Sequence, residues 1–439
     1  MVQHPAGIDG AAVAALAEER IDWRFKGMPS WAFGLTAREL AERRPNLFDD
    51  GFLGPLVVIE RPALEHNVRT MAEWCERAGV VLAPHGKTTM APQLLAAQLA
   101  AGSWAITAAT ASQVQVYRAF DVSRVVLANQ LVDRAALRWV AEELARDPRF
   151  EFVCWVDSVR GVELMAEALA GRKLARPIDV AVELGGHGGR SGVREVTDGV
   201  AVAGAVAASP GLRLVGVSGY EAALSHDTTP EALSTVDGYL RRMRELTVRL
   251  AREGLLADVD QVLVTAGGSC YFDQVAAVLT EPWPDGLRVL PVLRSGSYVT
   301  HDDGLYRRMS PFGRPHELTG GETPFRPALR AWAQVTSRPE PGLALLTLGR
   351  RDVSFDQDLP EPQLLRRAGG PPAPLESCRV TALNDQHAFL DVGSGTDIRV
   401  GDWVGLGLSH PCTVFDKWQL MPVVDADGAT VVDLVRTWF

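Results

Sequence analysis

Two patterns of apolar residues divide the chain. Between residues 80 and 299, short apolar runs recur, each followed by a longer segment. The runs are VVLAPH (80–85), AITAAT (105–110), RVVLANQ (124–130), FEFVCWVDS (150–158), IDVAVELG (178–185), LRLVGVSGYE (212–221), QVLVTAGGS (261–269) and LRVLPVLRSGS (287–297). Each is continuous and rich in β-branched residues rather than alternating, as in parallel strands buried on both faces. The segments between them, such as APQLLAAQLAA, RAALRWVAEELAR and LSTVDGYLRRMRELTVRLAREG, carry helical spacing. Eight β/α units in about 220 residues predict a (β/α)8 barrel, with a doubly wound open sheet as the competing arrangement. Upstream, GPLVVIERPALEHNVRTMAEWCERAG predicts a strand, a turn at Pro62 and a helix whose apolar positions are Leu64, Val68, Met71, Ala72 and Cys75.

Past residue 310 the texture changes. Pro and Gly cluster in SRPEPGL and LPEPQLLRRAGGPPAP, and short strand-like pieces follow: ALLTLG, SCRVTAL, HAFLDV, DWVGLGL and ATVVDLV. These predict an all-β C-terminal domain. The expected organisation is therefore residues 1–50 as an N-terminal segment joining the β-domain, 51–310 as the barrel and 311–439 as the β-domain.

Composition narrows the function classes. The 439 residues carry a net charge of −10 and no basic run, which argues against nucleic-acid binding. With 47% hydrophobic and 22% charged residues the chain is globular rather than disordered. No apolar run approaches the ~18 residues of a membrane span. The N-terminus lacks the basic-then-apolar layout of a signal peptide, so the cytoplasm is the expected compartment. The five cysteines are scattered without a CxxC pair, which does not read as a disulfide framework. Only four of the 44 basic side chains are lysines: Lys26, Lys87, Lys173 and Lys417.

In a barrel the chemistry gathers at the C-terminal ends of the strands. Lys87 follows the first run, in Pro84-His85-Gly86-Lys87-Thr88-Thr89. A lysine there is either a solvated loop residue or an amine able to form a Schiff base. The last two runs end in Gly267-Gly268-Ser269 and Ser295-Gly296-Ser297, turns whose N–H groups and hydroxyls suit a phosphate. Lysine and phosphate cradle together point to pyridoxal 5′-phosphate (PLP). His410-Pro411-Cys412 is a third signal, since in extended backbone residues i and i+2 share a face and imidazole and thiolate both bind Zn²⁺. Two ligands do not close a structural site but suit a catalytic metal. His387 lies upstream, and spacing does not decide whether it is near.

These segments resemble the fold-type III PLP enzymes of the D-serine dehydratase/D-threonine aldolase family, relatives of alanine racemase. The resemblance runs from about residue 50 to 425, through APHGKTTMAPQLLAAQLAAGSWAITAATASQVQVYRAF, ELGGHGGRSGV, TAGGS, RSGSYV, DQHAFL and SHPCTVFDKW. It implies that Lys87 carries PLP, that Arg190 lies near the cofactor ring and that Tyr220 belongs to its pocket. Gly267, Gly268, Ser269, Gly296 and Ser297 fall where the family binds phosphate. His85, Thr265, Ser295 and Tyr298, at the same strand ends, complete the candidate cofactor-binding set. His410 and Cys412 match the family's zinc pair, with Mn²⁺ as the alternative metal. Cys412 leans toward dehydration, because aldolases of the family tend to carry aspartate there. Thr89 departs from the family's second histidine, and the GGHGGRSG loop is unusual. The implied activity is a PLP- and metal-dependent lyase of a β-hydroxy D-amino acid, with D-serine the default substrate, in a homodimer. The alternatives are a retro-aldol lyase, an amino acid racemase and a non-catalytic PLP-binding protein.

Overall fold

The computed structural model describes residues 4–314, 318–319 and 323–439. Strand β1 (Leu56–Glu60) comes first. Eight parallel strands follow: β2 (Val81–Leu82), β3 (Ile106–Ala108), β4 (Arg124–Gln130), β5 (Glu151–Val156), β6 (Ile178–Leu184), β7 (Leu212–Gly219), β8 (Val262–Ala266) and β9 (Val289–Leu293). Each lies beside its neighbour in sequence, and β9 returns to β2. The ring closes between β2 and β3 through a parallel bridge of His85 with Thr107 and a hydrogen bond from Thr107 N–H to the Pro84 carbonyl (2.9 Å). The molecule therefore contains a (β/α)8 barrel rather than an open sheet. Ala83, Val126, Val153, Trp155, Ala181, Val215 and Leu263 fill its interior. The alternate residues of the same strands, among them Leu127, Val156, Val182 and Val264, pack outward into the helices. Burial on both faces is the reason the runs are continuous.

The surrounding helices start where their sequences cap them. The long helix Pro230–Arg252 begins at Thr229, whose hydroxyl accepts from the Ala232 N–H. It buries Val236, Tyr239, Leu240, Met243 and Leu246 on one stripe. Among the described residues, no helix is long and apolar enough to cross a membrane.

The remaining strands are β10 (Leu329–Glu340), β11 (Leu343–Leu346), β12 (Glu361–Arg366), β13 (Ala373–Pro374), β14 (Cys378–Leu383), β15 (Ala388–Val392), β16 (Trp403–Gly407), β17 (Leu420–Val424) and β18 (Val431–Arg436). They form a mostly antiparallel sheet in the order β13-β12-β16-β10-β1-β17-β18, with β11, β15 and β14 continuing from β10. Strands β10, β12, β13 and β17 are not among the pieces read from sequence. Pro339 sits near the end of β10, and Pro362 lies at a register irregularity of β12, so proline falls where a sheet tolerates it.

One boundary moves. The segment from residue 51 was assigned to the barrel, but β1 lies inside the second sheet, antiparallel to β10 and parallel to β17. Val57 and Ile59 face the core of the β-domain, while Leu56 and Val58 face the opposite side. That second face is covered by the N-terminal segment, where Ile21, Phe25, Met28, Leu40 and Leu47 pack against Leu56, Val58, Trp332 and Trp403. A five-residue strand with two buried faces needs a layer on each side, which a place outside the barrel wall supplies.

Trp332 anchors this layer, fully buried and 4.9 Å edge-on from Phe48. Trp332→Ala is expected to lower stability by about 3–5 kcal/mol, read as a shifted denaturant midpoint. A change under about 1 kcal/mol would show that the N-terminal segment does not share this core.

Candidate active site

Twelve of the residues singled out from sequence line one cavity of about 140 Å³ at the C-terminal mouth of the barrel. They are His85, Lys87, Arg190, Tyr220, Gly267, Gly268, Ser269, Ser295, Gly296, Ser297, His410 and Cys412. Lys87 sits in a single 3-10 turn, Gly86–Thr88, immediately after the closing bridge. Gly86 is required there: a Cβ on it would lie 2.5 Å from the Tyr117 hydroxyl and 2.9 Å from Ile106. Among the described residues, Lys87 Nζ has no hydrogen-bond or ion-pair partner. His85 is beside it, with a buried Nδ1 that also has none. Burial, then the charges of Lys87, Arg294 and Arg190, push the His85 imidazole well below its usual range, so the ring is neutral at pH 7.

The glycine-rich loop after β6 is held by its own arginine. The Arg194 guanidinium donates to the carbonyls of Arg190, Ser191 and Gly192. Gly185 and Gly192 let the two limbs touch; a Cβ on Gly192 would sit 2.4 Å from the Gly185 nitrogen, and its φ is +95°. The loop projects Arg190 over the Tyr220 ring at 4.9 Å.

Two residues do not reach the cavity. Thr265 points into the sheet, donating to the Val292 carbonyl (2.9 Å) and accepting from Arg294 (2.6 Å). Tyr298 follows Ser297 in a 3-10 turn, so when Ser297 faces the cavity Tyr298 turns away. It is buried against Phe325, its hydroxyl accepting from Gln98 at 3.0 Å. His387 is exposed, outside the cavity lining.

The structure also adds residues. Glu183, Arg294, Tyr306, Thr88 and Trp155 line the cavity. Glu183 is the buried penultimate residue of β6 and accepts from Gln130 at 2.6 Å; an acid at the C-terminal end of a barrel strand was a usable signal. The fully buried Glu221 accepts the N–H groups of Gly267 (2.9 Å) and Gly268 (2.6 Å). Those two donors are thus engaged within the protein, contrary to their assignment to a phosphate. Ser269, Gly296 and Ser297 keep the loop N–H groups that remain for an anion. A Cβ on Gly296 would lie 2.4 Å from the His85 carbonyl, so glycine is what allows the two strand ends to meet.

His410 and Cys412 come together by a route other than extended backbone. β16 ends before them; His410 is left-handed (φ +54°) and Cys412 opens a short helix, Cys412–Phe415. Asp302 fixes this turn. One carboxylate oxygen accepts the His410 N–H (2.9 Å), and the other caps the helix Leu305–Met309 that carries Tyr306. Cys412 Sγ lies 3.4 Å from Thr88 Oγ1 and 3.7 Å from Ser297 Oγ. Burial alone would raise the Cys412 thiol. Hydrogen bonds with His410 and Thr88 and the charges of His410 and Lys87 outweigh it and bring the thiol below its usual value. Reciprocally, the hydrogen bond with Cys412, working against burial and aided by Asp356, raises His410 to about 9.

Among the described residues no group of three or more His, Cys, Asp or Glu is placed to hold a metal. The imidazole–thiolate pair would supply two ligands of the types zinc accepts. The lysine, the glycine and serine loops, the buried Arg294 and the exposed Arg190 fit an anionic cofactor with a carbonyl group.

The Alanine racemase, N-terminal domain family matches residues 59–273, and the Putative serine dehydratase domain family matches residues 328–424. A D-threonine aldolase from Arthrobacter sp. is 27% identical over 343 residues, 78% of this chain and 80% of that protein. A D-threo-3-hydroxyaspartate dehydratase from Delftia sp. (strain HT23) is 28% identical over 249 residues, 56% of this chain and 61% of that protein. The solved D-threonine aldolase of Filomicrobium marinum shares the fold, with a TM-score of 0.70 at 23% identity over 88% of this chain and 95% of that one. The chain thus joins a barrel matched by the alanine racemase N-terminal domain family to a β-domain matched by the serine dehydratase domain family.

Proposed function

We propose that the protein is a PLP- and metal-dependent lyase of β-hydroxy D-amino acids, with dehydration of D-serine to pyruvate and ammonia as its reaction. One observation carries this reading: a lysine, two anion-suited loops and an imidazole–thiolate pair, drawn from both domains, converge on one small cavity. Lys87 would tether the cofactor covalently. Ser269, Ser295, Gly296 and Ser297 would hold its phosphate, and Arg190 with Tyr220 would flank its ring. When bound, PLP supplies an electron sink for negative charge at the substrate α-carbon. A metal on His410 and Cys412 supplies a Lewis acid for the β-oxygen, which otherwise leaves poorly as hydroxide.

The chain's own groups set up the proton transfers. With the cofactor and substrate bound, the Lys87 amine would accept the α-proton. Thr88 and Ser297 hold the Cys412 sulfur in place, and Asp302 fixes its turn against the Tyr306 helix. Retro-aldol cleavage is the second reading, favoured by the similarity to D-threonine aldolase. It differs in needing a base for the β-hydroxyl proton, whereas dehydration needs that oxygen to leave. Supplying D-serine, D-threonine and D-threo-3-hydroxyaspartate to purified protein separates them. A 2-oxo acid with ammonia from the first or third substrate supports dehydration; acetaldehyde with glycine from D-threonine supports the aldolase.

Borohydride treatment of the yellow holoenzyme is expected to fix the cofactor on the peptide containing Lys87, and label on Lys26, Lys173 or Lys417 would sink the assignment. Lys87→Ala is expected to lower turnover by about 10²–10⁴-fold or more, because tether and base are lost together. Exhaustive chelation, or Cys412→Ala, is expected to abolish turnover while the cofactor's visible absorbance remains. Full dehydratase activity after either treatment would overturn the metal role and bring the racemase reading forward.

A further inference from the structure

The loop between β11 and β12 reaches the His410 turn with alternate side chains. The Ser354 hydroxyl donates to the Ser409 carbonyl. Asp358 accepts from the Ser409 hydroxyl at 3.1 Å and pairs with Arg308 at 2.8 Å. Between them, Asp356 places one carboxylate oxygen 2.5 Å from His410 Nδ1, while its other oxygen accepts from the Thr413 hydroxyl at 2.9 Å. His410 is thus held at its backbone N–H by Asp302 and at its ring by Asp356. The ring's remaining polar contact is with the Cys412 thiol.

A carboxylate is an acceptor only, so it takes the proton on Nδ1 and leaves Nε2 as the nitrogen whose proton a divalent metal can displace. We propose that Asp356 is a positioning residue of the metal site, fixing the His410 tautomer and ring angle so that Nε2 and the Cys412 sulfur address one divalent metal. This rests on the reading that His410 and Cys412 bind a metal. Asp356 touches neither substrate nor cofactor in this role. It acts by making the imidazole a more basic and better-aimed ligand, as carboxylate partners of metal-bound histidines do. Thr413 in turn orients Asp356, which explains why a partly exposed aspartate can keep one geometry.

The test uses PLP-loaded protein stripped of metal with chelator. Co²⁺ is titrated while the sulfur-to-cobalt charge-transfer absorbance is followed, and Zn²⁺ is titrated in competition with a chromogenic chelator. Asp356→Ala is expected to weaken both metals by about 10–100-fold. Asp356→Asn is expected to weaken them less, because its amide oxygen still accepts the Nδ1 proton. In both variants the metal-free melting temperature and the cofactor absorbance should match the parent protein, while the upward melting shift on adding Zn²⁺ shrinks. Unchanged affinity in both variants overturns the proposal. So does weakened binding matched by an equal drop in metal-free stability, which would mark a merely structural aspartate. If the alanine variant does not fold, the asparagine variant decides alone, weaker binding supporting the proposal and unchanged binding overturning it. A parent protein without a charge-transfer band, or a band that survives Cys412→Ala, overturns the metal site itself and the proposal with it.

Discussion

Lys87 can face the barrel axis because the residue before it has no side chain. Strand β2 is only two residues long, and the barrel closes just beyond it through His85 and Thr107. At Gly86 the chain must then pass within contact distance of Tyr117 and Ile106. Any Cβ there would push the 3-10 turn outward and carry Lys87 away from the loops after β8 and β9. Gly296 meets the same demand from the other side, against His85. Two close backbone approaches thus set the distance between the amine and the anion-suited loops, and the remaining side chains are arranged around that separation.

The second domain completes the cavity through a turn rather than through a strand. Asp302 ties it to the barrel: one buried carboxylate takes the His410 N–H and the N-terminal donors of the Tyr306 helix. Each hydrogen bond to it satisfies a backbone donor that would otherwise be buried without a partner. Asp356 and Thr413 then restrain the imidazole from outside. The electrostatics follow from this packing. Lys87, Arg190 and Arg294 make the mouth cationic, His85 stays neutral among them, and the Cys412 sulfur gains negative character from His410 and Thr88.

Glu221 holds part of the site through the backbone. Its buried carboxylate holds two consecutive glycine N–H groups, which fixes the start of the loop after β8 while Ser295 donates to the Gly268 carbonyl from the next loop. The Arg194 guanidinium does the same for the glycine-rich loop after β6 by collecting its carbonyls. Backbone groups of loops at a barrel mouth lack the ladder partners that strands provide, so buried charged side chains take that place.

The eight barrel strands and the candidate lysine were legible in the sequence for one reason. Strands buried on both faces leave unbroken apolar runs, and the polar residues that interrupt them at their C-terminal ends are few enough to name. The His410–Cys412 pair was legible as chemistry, though the extended backbone that would have brought its members together is absent. What the sequence left undecided depends on contacts between distant segments. The place of β1 in the second sheet depends on which layers cover its two faces, and a five-residue apolar run is equally suited to either sheet. The outward turn of Tyr298 depends on the pitch of a single 3-10 turn. Glu221, Asp302 and Asp356 are ordinary acids in sequence. They acquire their roles because folding brings them beside backbone donors and an imidazole 46, 108 and 54 residues away, and no local pattern records a partner at that distance.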